Sequence, residues 1–166
     1  MFRKIEDFKK AWTYETDATL KMLAALTDES LKTKVYPDGR DLGFIAWHIT
    51  VSLSEMANKT GLSVPGPDEN SDRPDRAKTI HDEFKASAEG LLKEVSEKWK
   101  DEDLLTKVNM YGEEWENGNT LYILITHQAH HRGQMTVLMR QAGLTFPGVY
   151  GPSKEEWVNY GAPPAK

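Results

Sequence analysis

Three of the five histidines fall within His127-Gln128-Ala129-His130-His131. On a helix, His127 and His131 stand one turn apart and about 40° apart around the axis, so their imidazoles project side by side. Two such rings can converge on one metal ion, each nitrogen about 2.0–2.1 Å from it. The same spacing also suits two hydrogen-bonded core histidines or a pair of surface polar groups. His130 lies about 100° around the axis from His131, on the row of Ile123, Gln134 and Val137, and is the poorer ligand candidate.

A third imidazole must come from elsewhere. His48 falls on an apolar stripe with Phe44 and Val51. A buried imidazole among aliphatic side chains needs a polar partner, and an ion shared with two other histidines would supply one. Position 128 is glutamine, so the HExxH metalloprotease pattern and its glutamate base are absent. No Glu-x-x-His occurs, which disfavours a di-iron carboxylate bundle. His81, between Ile80 and Asp82, reads as a rim residue. With no cysteine there is no disulfide, thiolate ligand or cysteine nucleophile. Any metal must be held by imidazole or oxygen, and any reacting thiol must come from outside.

The elements that would position these groups follow from periodicity. Apolar residues Ile5, Phe8, Trp12, Leu20, Leu23 and Leu26 mostly step by three or four, which predicts a helix over about 2–26. Tyr36-Pro37-Asp38-Gly39 reads as a turn, with glycine allowing a positive φ. Asp41 is placed to cap a second helix over about 42–59, which stops at Gly61. Residues 62–74 carry Pro65, Gly66, Pro67 and Pro74 and cannot be helical throughout. A third helix is predicted over about 75–99 and a fourth over about 120–142, the latter ending at Gly143. Between them, Leu104 to Trp115 suits either a short hairpin or an ordered loop.

The tail, 144–166, is aromatic, and Ser153-Lys154-Glu155-Glu156 matches a capping box for a short helix. It is expected to pack back on the body. The fold class is therefore all-α, a four-helix bundle in one domain over 1–166. The long link between the second and third helices argues against assuming simple up-down-up-down order.

Composition closes off other classes. Among 166 residues, 21 Lys plus Arg against 26 Asp plus Glu give a net charge of −5, which disfavours nucleic-acid binding and docking on an anionic membrane. The longest apolar run, Leu121 to Ile125, falls far below the roughly 20 residues of a membrane-spanning helix. The start, MFRKIEDFKK, lacks a hydrophobic block, so a cytoplasmic location is the expectation.

The sequence resembles the DinB-like (damage-inducible, YfiT-like) family of metalloenzyme bundles. The resemblance rests on Gly43-Phe44-Ile45-Ala46-Trp47-His48-Ile49, on His127-Gln128-Ala129-His130-His131-Arg132-Gly133-Gln134, and on Phe146-Pro147-Gly148-Val149-Tyr150-Gly151-Pro152-Ser153. It extends over nearly the whole chain. It implies that His48, His127 and His131 hold a divalent metal such as zinc or nickel. It further implies a homodimer and a thiol-dependent transferase or isomerase using bacillithiol or mycothiol. Despite the family's name, nothing in the sequence suggests DNA binding.

Three imidazoles leave a coordination position open, as in catalytic zinc sites. A low-molecular-weight thiol there would be activated toward a small-molecule electrophile, giving an S-transferase. A water there would give a metal-assisted hydrolase. A non-catalytic, stress-associated metal-binding protein is the third reading, since no general base is identifiable. Glu55, Gln128 and Gln134 are candidates for lining the site, and Arg132 for an ion pair or an anionic substrate group. Trp47, Tyr111, Trp115, Tyr150 and Trp157 would form pocket walls or core.

Overall fold

The computed structural model describes residues 1–163, so the last three residues of the tail lie outside the described residues. Among them are four α-helices: α1 (Ile5–Ala24), α2 (Leu42–Asn58), α3 (Ala77–Lys98) and α4 (Asn117–Gln141). A hairpin of β1 (Lys107–Met110) and β2 (Glu113–Glu116) precedes α4. The undecided 104–115 segment is thus a hairpin. Its two-residue turn, Tyr111-Gly112, has φ of 56° and 89°, the left-handed pair that matches strand twist.

Several helix starts differ from the periodicity because distant groups cap them. Phe2 N–H donates to the Gly118 carbonyl at 3.1 Å, so α1 begins later, where Asp101 Oδ1 accepts from Ile5 N–H at 2.8 Å. Asp28 Oδ1 does the same for Ala77 at the start of α3, at 2.8 Å. Helix α4 starts earlier because the hairpin feeds straight into it. Asn117 N–H donates to the Thr106 carbonyl at 2.9 Å, and its side-chain amide to the Asp103 carbonyl at 3.0 Å. Only α2 has the local cap the sequence announces, Asp41 Oδ1 accepting from Phe44 N–H at 2.7 Å. The 36–39 turn closes as expected, with Gly39 N–H on the Tyr36 carbonyl at 2.9 Å. Gly39 does not adopt a positive φ, however: a β-carbon there would crowd the Tyr36 ring at 3.0 Å, so space is the reason for glycine.

Around the bundle, α1 packs on α3 and α4, and α2 packs on α3 and α4. The links that carry the chain between elements not paired in this ring are therefore α1–α2 and α3–α4, whereas the long α2–α3 link joins neighbours. The core is built from Phe8, Trp12, Ile49, Leu53, Phe84 and Leu91, all buried. Trp12 Nε1 finds the Ala88 carbonyl at 3.0 Å, which satisfies its N–H inside the core.

The tail returns to the bundle. Leu144, Phe146 and Val149 pack against the core, and Arg140 holds Glu155 through two bonds of 2.6 and 2.8 Å. Residues Lys154–Tyr160 form a 3-10 helix whose aromatic side chains stay largely on the surface. Glu156 fixes its start by accepting from the Ser153 and Gly148 N–H groups at 2.8 and 2.9 Å.

Candidate metal centre

Helix α2 supplies His48 and helix α4 supplies His127 and His131, and the α2–α4 seam brings all three together. His127 Nε2 lies 3.2 Å from His48 Nε2 and 3.1 Å from His131 Nε2. One ligand nitrogen from each ring falls within 4.8 Å of the other two. His131 is buried and the other two are half-buried. Burial and mutual repulsion set their protonation. The His127 pKa is depressed to about 4, first by burial and then by the neighbouring imidazoles. Burial is also the largest reason that His48 and His131 fall below their usual value, with Arg40 adding to both.

An imidazole nitrogen has one in-plane site, either a lone pair or a proton. His127 Nε2 therefore cannot donate to one neighbour and accept from the other at once. Three lone pairs around one ion resolve that conflict. Ligands about 2.0–2.1 Å from a shared ion sit about 2.9–3.4 Å apart for angles between square and tetrahedral, which brackets both short separations here. The donor set is neutral, so a divalent ion would keep its full charge for an incoming ligand.

Gln134 orients one member of the set. Its Oε1 accepts from His131 Nδ1 at 2.8 Å, which leaves the Nε2 lone pair of His131 aimed at the centre. Its amide Nε2 donates to His130 Nε2 at 3.1 Å, so His130 lies outside the trio and acts through Gln134. The Phe44 ring stacks on His48, centroids 6.2 Å apart and the planes nearly parallel at 13°. His127 Nδ1 is buried without a hydrogen-bond partner.

The other candidates separate. Glu55 takes the Tyr111 hydroxyl at 2.6 Å and pairs with Lys59 at 3.0 Å. Gln128 is buried and accepts from Thr19 at 3.1 Å, bridging α4 to α1. His81 lies on α3 beside Asp82, at 3.0 Å. Trp47 is a core residue bonded to the Ser71 carbonyl, Trp115 is half-buried with its ring edge-to-face with exposed Tyr111, and Tyr150 and Trp157 are exposed.

Arg132 forms an ion pair, buried with Glu15 of α1. It also donates to the Thr19 hydroxyl at 2.7 Å and to the Tyr150 hydroxyl at 2.7 Å, and Tyr150 in turn donates to Glu15. Periodicity missed Glu15 and Thr19 because they are polar. The signal was present, since both continue the three-and-four stepping of Phe8, Trp12, Met22 and Leu26.

The description "DinB family" covers a family model that matches residues 1–164 of the chain. The protein belongs to the DinB family. YrdA of Bacillus subtilis (strain 168), described as uncharacterized, is 44% identical over 161 residues, 97% of this chain and 96% of that one. Among solved structures, a DinB-like protein of Bacillus cereus ATCC 10987 matches with a TM-score of 0.87 and 45% identity, over 90% of this chain and all of that chain. A DinB-like protein of Bacillus subtilis shares the fold at a TM-score of 0.68 and 16% identity, over 86% and 97% of the two chains. Among the described residues of this DinB-family chain, no helix is long and apolar enough to cross a membrane.

Proposed function

We propose that His48, His127 and His131 hold one divalent ion, zinc or nickel as the family resemblance implies, and that the chain is a metal-dependent enzyme of the S-transferase class. The observation that carries the metal reading is the pair of Nε2 separations at His127, 3.1 and 3.2 Å, and the transferase class follows from the family resemblance. When bound, the ion supplies Lewis acidity at a coordination position the protein leaves open, where a low-molecular-weight thiol is acidified. The chain's own contribution is positional. Gln134 holds the proton of His131 on Nδ1, Phe44 fixes the plane of His48, and burial keeps all three rings neutral at pH 7. The absence of cysteine leaves no internal thiol to compete.

Elemental analysis of the purified protein tests the first half: about one divalent ion per chain is expected, and His127→Ala loses it while helix content by circular dichroism is kept. Full occupancy in that variant refutes the triad. Turnover of an electrophile only when a thiol is supplied supports the transferase. Ester or amide cleavage without thiol would place the chain among metal-assisted hydrolases instead. The expected cytoplasmic homodimer is part of the same proposal, and size-exclusion chromatography with light scattering checks its mass.

A further inference from the structure

Next to the triad, the α2–α4 seam opens into a cleft of about 310 Å³, at the lower end of the usual size for a small-molecule site. Val35 and Tyr36, from the turn before α2, line one side, and Val137 and Leu138 of α4 line the other. Its polar groups are Arg40 and Gln134, the latter being the residue that orients His131. Val35, Tyr36 and Val137 are each more than half exposed, so apolar side chains face solvent around this opening. The Arg40 guanidinium sits 4.7 Å from the Phe44 ring centroid, and Phe44 stacks on His48. Among the described residues Arg40 makes no salt bridge, whereas its neighbour in the fold, Arg73, pairs with Asp41.

An unpaired guanidinium beside an apolar wall suits a ligand with a carboxylate at one end and a compact hydrocarbon body behind it. Gln134 lies one helical turn beyond His131, and Arg40 about two turns before His48. Along α4 the cleft therefore begins about 5 Å from His131, while Arg40, which precedes α2, lays its guanidinium over Phe44, the residue stacked on His48. We propose that this cleft is the substrate subsite of the metal centre, and that it takes small apolar carboxylic acids with the carboxylate on Arg40 and the hydrocarbon body against Val35, Val137 and Leu138. The link to the metal centre rests on the metal reading above; the assignment of the cleft and Arg40 does not.

Hexanoate, with hexanamide as its neutral counterpart, probes this by methyl NMR on the full chain. Hexanoate is expected to shift the Val35, Val137 and Leu138 methyl signals and to bind about tenfold more tightly than hexanamide, as loss of one charge-assisted hydrogen bond implies. Arg40→Gln removes that preference, and Val137→Glu, a change at an exposed helix position, blocks both ligands while the remaining spectrum is unchanged. Equal binding of acid and amide, or shifts confined to other methyls, overturns the proposal. With cobalt(II) added, the proton signals of hexanoate should relax faster than with the metal-free chain. Equal relaxation with and without the ion, in a chain that binds it, separates the cleft from the metal centre and overturns that link. A chain that takes up hexanoate through Arg40 but binds no cobalt or zinc keeps the cleft and loses the proposed metal centre, so the two failures are distinguishable.

Discussion

Gln134 Oε1 accepts from His131 Nδ1 at 2.8 Å, one turn along the same helix, and this single bond decides which nitrogen of His131 faces the other two rings. Partners of this kind usually change metal affinity by about 10–100-fold when removed. Gln134→Leu is expected to weaken zinc binding by that order in a competition titration against a chelator, with helix content retained. Gln134→Glu, which keeps an acceptor, should bind at least as tightly as the parent. Unchanged affinity in Gln134→Leu would mean that packing alone orients His131.

The three imidazoles make the metal-free protein acid-sensitive. The His127 pKa is about 4 in the folded chain against 6.5 for an ordinary histidine, and His48 and His131 are lowered in the same direction. The unfolded chain therefore binds more protons than the folded one across that interval, and stability drops as pH falls from about 6.5 to about 4. Urea midpoints of metal-free protein measured over this range should decline, and His127→Asn should flatten the decline. Bound zinc should be lost in the same window, because protons compete for the same nitrogens.

The Glu15–Arg132 pair lies in the interior between α1 and α4. Removing one partner leaves the other charge buried alone, which costs about 3–5 kcal/mol in comparable pairs. Arg132→Met should lower the unfolding free energy by about that amount in urea denaturation, and Glu15→Leu in the same chain should recover part of it. A loss under about 1 kcal/mol would show that water reaches the pair.

The tail responds to acid through a different mechanism. Arg140 holds Glu155 down to about 2, and the Ser153 and Gly148 N–H groups lower Glu156. Both carboxylates titrate below 4.5, so the docked tail is fully supported above that pH and loses support as pH falls toward about 2. Hydrogen exchange of residues 154–160 should be flat from pH 7 to 5 once corrected for intrinsic rates. In Arg140→Gln those amides should exchange faster throughout while the core of α3 is unaffected.

Much of the site was legible because helix spacing speaks directly about direction. His127 and His131 at i and i+4 must share a face, and His48 shares a stripe with the buried Val51, although Phe44 at the other end of that stripe is exposed and leaves His48 half-buried at the seam. What stayed hidden was decided between segments far apart in sequence. The caps of α1 and α3 come from Asp101 and Asp28, which no local motif announces. Glu15 and Thr19 kept the core stepping but were polar, and only the arrival of Arg132 explains them. Arg40, in a turn, had no periodicity to give it a direction.

The imidazole trio joins parts of the chain separated by 79 residues, with its two-histidine half on the last of the four helices. During synthesis the first 116 residues can offer an ion only His48 and the distant His81. On the proposed metal reading, full affinity would arise only when the final helix has emerged and docked. Capture of the ion would thus report the docking of α4 on α2, and a product stopped before α4 would circulate without it.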